Sequence, residues 1–207
     1  MPNQSGSIYG LTILSPIKDK QHVKISPSLA IRMYLQSLPV DSRGPFGKVS
    51  CTHMARLVVL DDVVYFGMPS CEEHLQSKYL IFESNFDGKL DDYLTRLATE
   101  AKEEVDGIWQ HCIGYPGLEN VPAFIAYMKR CQVETTFYFA DVNDKTVQQT
   151  LRALQTQSAV ASFIEKNQGK SPADLQKAFV NFSNRLRNTA PPEPGSIKGK
   201  EFTDELV

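Results

Sequence analysis

Segment 52–60 is apolar on both of the faces that a β-strand would present. One parity holds Thr52, Met54, Arg56, Val58 and Leu60, and the other holds His53, Ala55, Leu57 and Val59. Successive side chains of a strand point to opposite faces of its sheet. A strand with one solvent-facing side alternates apolar and polar residues, whereas a strand that is apolar on both sides needs cover on both. The pattern therefore predicts a sheet with two covered faces, the second covered by another copy of the chain or by C-terminal helices.

The order of β-rich and helical segments predicts a βαββαβ arrangement. Strands are expected at 8–15, 52–60, 78–85 and 132–140, and helices at about 27–38 and 89–105. A short helix is expected from Asn120 to Met128, and two further helices from about 143 and from Ser171-Pro172. Ser26 before Pro27 is typical of a helix start, and Asp87 is expected to cap the second helix. The order indicates an α+β, ferredoxin-like antiparallel sheet with extra C-terminal helices. Right-handed crossovers would place the first and third strands at the centre of this sheet.

The length of 207 residues fits one domain. We expect a single ferredoxin-like α+β domain over residues 1–187, with a helical extension at about 143–187. Residues 188–207 are polar and proline-rich, and this composition is typical of a disordered tail.

Composition excludes several classes of protein. The formal net charge of -2 argues against a strongly basic nucleic-acid binder. No apolar run reaches the roughly 18 residues of a membrane helix, and the first residues do not form a secretory signal. Cys51, Cys71, Cys112 and Cys131 are scattered, without the spacing of a metal site. We therefore expect a cytoplasmic protein with free thiols, no metal, and neither nucleic acid nor membrane as a partner.

Two polar residues of segment 52–60 are candidate site residues. His53 and Arg56 are an odd number of positions apart, so they share one pocket only if the strand bulges. Arg56 is expected to pair with Glu83 on the neighbouring strand, either as a structural ion pair or as a clamp for an anion such as a haem propionate. His53 is either a hydrogen-bonded core histidine or an axial ligand or acid–base group.

His111 and Tyr138 complete the candidate set. His111 lies among aromatic residues in the link after the second helix, where it either lines a site or closes the core. Tyr138, on the predicted fourth strand, would be a hydrogen-bond donor to a ligand. Phosphate-binding, nucleophile-elbow and zinc-protease motifs are absent from the sequence.

Four segments carry a resemblance to a known group of proteins. These are 11–16, 52–58, 80–88 and 109–117, which read LTILSP, THMARLV, LIFESNFDG and WQHCIGYPG. Over roughly residues 8–143 the chain resembles largely uncharacterised bacterial proteins with a ferredoxin-like fold. More distantly, it is similar to the dimeric α+β barrel superfamily of dye-decolourising peroxidases, chlorite dismutases and small monooxygenases. Their haem ligand lies on a helix, and neither main predicted helix here contains a histidine, so no ligand is carried over.

Two functions follow as expectations. The first is a small peroxidase- or monooxygenase-like oxidoreductase, acting on a small apolar or aromatic molecule with haem or without a cofactor. His53 or His111 would then be the ligand or base, Arg56 the clamp and Tyr138 the donor. The alternative is a non-catalytic binding or assembly module whose sheet face is a dimer or partner interface. A homodimer is the expected assembly.

Overall fold

The computed structural model describes residues 3–19, 24–63 and 74–196. Cys71 and the part of the predicted tail from 197 to 207 lie outside the described residues. The strands are β1 (Gln4–Ser5), β2 (Ile8–Pro16), β3 (Thr52–Leu60) and β4 (Tyr79–Asp87). The helices are α1 (Pro27–Ser37), α2 (Pro45–Lys48), α3 (Leu90–Glu100), α4 (Lys102–Trp109), α5 (Val121–Arg130), α6 (Val147–Lys166) and α7 (Pro172–Asn188). The architecture is therefore mixed α+β.

The described strands form one antiparallel sheet in the order β1-β2-β4-β3. Its register places Leu11 of β2 opposite Ser84 of β4, and Glu83 of β4 opposite Arg56 of β3. The two central strands are thus β2 and β4, and β3 is an edge strand.

The predicted strand at 132–140 does not form. Only Gln132 makes a bridge, to Ile13, before the chain leaves the sheet. The N-terminal residues explain this difference, because they occupy the rest of the outer edge of β2. The carbonyl of Asn3 accepts a hydrogen bond from the Gly10 amide at 2.8 Å, and Gln4 of β1 pairs with Tyr9. Asn3 and β1 therefore occupy the part of this edge that the expected strand would need beyond Val133.

One face of the sheet carries the main hydrophobic core. Its fully buried side chains include Ile13, Leu80, Phe82 and Phe86, which pack against helices on that side. Phe86 stacks on Tyr93 of α3 with ring centroids 3.7 Å apart. Phe82 meets Trp109 of α4 edge to face at 5.4 Å, in the arrangement that aromatic pairs favour.

The predicted helix at 89–105 is two helices that meet at Ala101. This buried residue has φ -125° and ψ 36°, outside the helical region, and α4 then continues to Trp109. The bend lets the apolar stripe of α3 and the indole of Trp109 reach one core. Lys89, not Asp87, is the N-cap residue of α3, so the predicted capping role of Asp87 toward this helix is wrong.

Among residues 3–19, 24–63 and 74–196, no helix covers the second sheet face, contrary to the expectation from segment 52–60. Met54 and Val58 of β3 are exposed on it. Helix α6 starts beyond the end of the sheet, since the amide of Ser7 donates to the carbonyl of Asn143 at 2.8 Å. Helices α6 and α7 then pair with each other around a small separate cluster. The C-terminal helices therefore leave this face, called the open face below, available.

The segment after α7 is held against α6. The side-chain amide Nε2 of Gln155 donates to the carbonyl of Ala190 at 3.2 Å, and the guanidinium of Arg152 donates to the carbonyl of Thr189 at 2.6 Å. Pro192 is buried. Residues 189–196, the first part of the predicted tail, therefore make defined contacts.

Candidate binding site on the open sheet face

An ion pair lies at the centre of the open face. The Nε of Arg56 donates to the Oε2 of Glu83 at 2.9 Å, and a terminal guanidinium nitrogen donates to the same oxygen. The two residues are direct cross-strand neighbours, as the sequence predicts. Both side chains keep substantial solvent exposure, 68% for Arg56 and 38% for Glu83. An ion pair this exposed contributes little stability. Because both side chains are exposed, both charged groups are accessible to a partner.

Tyr138 covers one end of the open face. Its ring lies on Gly10 of β2, where an added Cβ would come within 2.7 Å of the ring atom Cε2. A glycine inside a strand is typical of such a close approach. The hydroxyl of Tyr138 is buried and has no hydrogen-bond partner among the described residues, and burial raises its pKa. An unsatisfied buried hydroxyl is costly, so it is a candidate donor to a ligand.

Between Tyr138 and β3 lies a groove of about 380 Å³. Its lining combines the backbone of β2 and β4 with the side chains of Thr12, Met54, Arg56, Glu83, Asn85, Thr135, Phe137 and Tyr138. The structure therefore brings two of the four candidate residues, Arg56 and Tyr138, to one place.

Exposed apolar side chains surround this groove. Phe137, which lines the groove, is 85% exposed, and Met54 and Val58 of β3 are also exposed. Phenylalanine is among the residues most often buried, and contiguous apolar patches on soluble proteins mark interaction sites. The open face thus has the composition of an interface.

His53 lies outside this groove. The register shifts between Thr52 and Met54, so His53 is the extra residue of a β-bulge. It lines a different cavity of about 410 Å³ between β3, the end of α1 and the segment 39–47, which includes the start of α2. The strand does bulge, but His53 and Arg56 line different cavities.

Asp87 is the partner of His53, and sequence reasoning assigned it another role. Its Oδ1 lies 2.8 Å from the Nε2 of His53, and its Oδ2 accepts a hydrogen bond from the Val147 amide at 2.8 Å. Val147 begins α6, so Asp87 binds one of the free amides at that helix start. The position of Asp87 at a strand end signals capping, but the helix that it caps is distant in sequence.

His111 belongs to neither cavity. It follows α4, and its carbonyl accepts a hydrogen bond from the Lys18 amide at 2.9 Å, just beyond the end of β2. His53 lies near the opposite end of the sheet, roughly 25 Å away for nine-residue strands. The four candidate residues therefore do not form one catalytic site.

Other tests of function give no assignment. No group of three or more metal-binding side chains occurs in the part of the chain that the structure describes. Among those residues, no helix is both long enough and apolar enough to cross a membrane. No protein-family model, no curated protein and no solved structure matches this chain.

Proposed function

We propose that this protein is a non-catalytic assembly module in which a second copy of the chain covers the open face. One observation supports this most strongly: Met54 and Val58 are exposed on this face, and the exposed ring of Phe137 lies in the groove beside them. Removing apolar area from water stabilises an interface by about 25 cal/mol per Å². The apolar pattern of segment 52–60 predicts that Met54 and Val58 are covered, and this contact would cover them.

The charges on the open face favour a second copy as the occupant. Arg56 and Glu83 lie side by side and have opposite charge. In a twofold interface the same patch meets itself, so each Arg56 can approach the partner's Glu83. Opposite charges placed in this way favour association and disfavour partners with a single sign of charge.

The size of the face indicates a weak dimer. The three nine-residue strands give a footprint of roughly 400 Å², from strand lengths of about 30 Å and spacings of about 4.8 Å. Segment 133–139 widens it. Stable dimers bury about 800 Å² per partner, so we expect a concentration-dependent dimer with micromolar affinity.

The test is sedimentation equilibrium of two matched valine variants. Val58→Lys places a charge on the open face, whereas Val40→Lys makes the same change at an exposed valine in the loop after α1. We expect Val58→Lys to weaken self-association by about tenfold or more, and Val40→Lys to leave it unchanged. A wild-type chain that stays monomeric at high micromolar concentration would contradict the proposal.

A second candidate function rests on the unpartnered hydroxyl of Tyr138. A small aromatic molecule in the groove could accept a hydrogen bond from it and contact Arg56, as in a cofactorless oxidoreductase of the type that the resemblance implies. Haem does not fit this version, because neither His53 nor His111 lines the groove.

Ligand-induced stabilisation tests this second candidate. A ligand that binds only the folded state raises its unfolding temperature. We would measure this rise across small aromatic acids and phenols for the wild type, Tyr138→Phe and the matched control Tyr79→Phe. The candidate requires a rise that Tyr138→Phe alone removes, and a panel without any rise would exclude it.

A further inference from the structure

The hairpin of α6 and α7 has an apolar face outside its own core. Its buried cluster is small and consists of Ala159, Phe163 and Phe182. Four other apolar side chains of the two helices stay exposed: Val160, Ile164, Leu175 and Phe179. The hairpin therefore exposes apolar side chains beside its own small core.

These four side chains lie on the same side of the hairpin. In a helix each residue advances about 100° around the axis. On α6, Val160 and Ile164 are rotated about 100° around the helix axis from the positions that face α7. On α7, Leu175 and Phe179 are rotated about 60° in the same sense from the positions that face α6. Because the two helices are antiparallel, equal senses of rotation point to one side. The contact of Phe163 with Phe179, at 5.9 Å between ring centroids, agrees with this placement.

Two apolar rows on adjacent helices form a groove between them. Such a groove suits a third helix with apolar residues at three- and four-residue spacing. A membrane surface instead favours a single stripe bordered by cations. On α7, Lys177 is about 180° from the row of Leu175 and Phe179 rather than beside it.

The net charge of the hairpin as a whole favours an acidic helix as the partner. Residues 147–188 contain six Lys or Arg and two Asp or Glu, a net charge of +4, while the whole chain carries -2. A second hairpin would bring like charges together, and an acidic partner would be attracted over a longer range. We propose that the groove formed by Val160, Ile164, Leu175 and Phe179 binds an acidic amphipathic helix of a partner protein.

The experiment uses the full chain and a synthetic acidic helix. The probe is a labelled peptide about three heptads long, with leucine at the a and d positions and mostly glutamate elsewhere. A second peptide has lysine in place of glutamate. Binding is measured by fluorescence anisotropy, with vesicles of phosphatidylserine and phosphatidylcholine tested in parallel by co-sedimentation.

Two matched variants separate the groove from the rest of the hairpin. Ile164 is 55% exposed in the groove, and Val180 is 51% exposed on the side of α7 that faces away from α6. Both become aspartate, so the change in net charge is identical. Circular dichroism and unfolding curves of both variants establish that the hairpin remains folded.

We expect the glutamate peptide to bind and the lysine peptide to bind at least about tenfold more weakly. Ile164→Asp should lower the affinity by about tenfold or more, and Val180→Asp should leave it unchanged. Equal binding of both peptides, no binding, or equal effects of the two variants would overturn the proposal. Ile164-dependent binding to vesicles, or a lower oligomeric state for Ile164→Asp, would assign the groove to a membrane or to a second copy instead.

Discussion

Replacing Asp87 by alanine should destabilise the protein, because one carboxylate joins the sheet to the α6–α7 hairpin. Asp87→Ala removes the contact with the Nε2 of His53 and the hydrogen bond from the Val147 amide, both at 2.8 Å. Both the His53 and Asp87 side chains are mostly buried. The amide of Val147 would then lack its acceptor at the start of α6.

Asp87→Ala should lower the free energy of unfolding by about 2 kcal/mol. Loss of a helix-capping acceptor costs about 1 kcal/mol, and the hydrogen bond to His53 contributes about 1 kcal/mol. For a chain of this length, this loss corresponds to a decrease in Tm of about 4–8 °C. His53→Ala removes only the second contact, so it should cost about half as much.

Urea unfolding followed by circular dichroism measures these differences. Asp92→Ala is the matched control, because Asp92 is an exposed aspartate in the first turn of α3. Its expected effect is below about 0.5 kcal/mol. If Asp87→Ala were no more destabilising than Asp92→Ala, or than His53→Ala, the reasoning that Asp87 links two elements would be refuted.

Three further predictions concern the core, the open face and the thiols. Phe82→Ala should lower the free energy of unfolding, measured in urea, by about 3–5 kcal/mol, because Phe82 is fully buried against Trp109. A decrease below about 1 kcal/mol would contradict its place in the core. Gly10→Ala should displace the ring of Tyr138 and speed hydrogen exchange across 135–139, since its Cβ would come within 2.7 Å of that ring; unchanged exchange would contradict the contact. Burial raises the pKa of the Cys112 thiol to about 12, so native protein at pH 8 should be alkylated at Cys112 only as fast as it unfolds; rapid alkylation seen by mass spectrometry would exclude this burial.

Local sequence signals located several elements well. Ser26 before Pro27 and Ser171 before Pro172 mark the starts of α1 and α7, and Asn120 caps α5. These signals succeed because a capping side chain and the first amides of its helix are only a few residues apart. The pairing of Arg56 with Glu83 also follows from the sequence, once β3 and β4 are taken as neighbours.

The failed predictions depend on contacts between distant residues. Segment 132–140 is rich in β-forming residues, but Asn3 and β1 take the hydrogen-bonding edge of β2 that it would need. Competition for one edge is not visible in local propensity. The partner of His53 was missed for the same reason, because a β-bulge and the distant start of α6 together determine what Asp87 binds.

Oxidation of two methionines tests most directly whether a second copy covers the open face. Met54 is 62% exposed on that face and Met33 is 54% exposed on α1, so in a single chain dilute peroxide should oxidise them at similar rates. Peptide mass spectrometry would give both rates as the protein concentration is raised. Self-association through the open face predicts that Met54 becomes protected while Met33 does not. Equal rates at every concentration would contradict it.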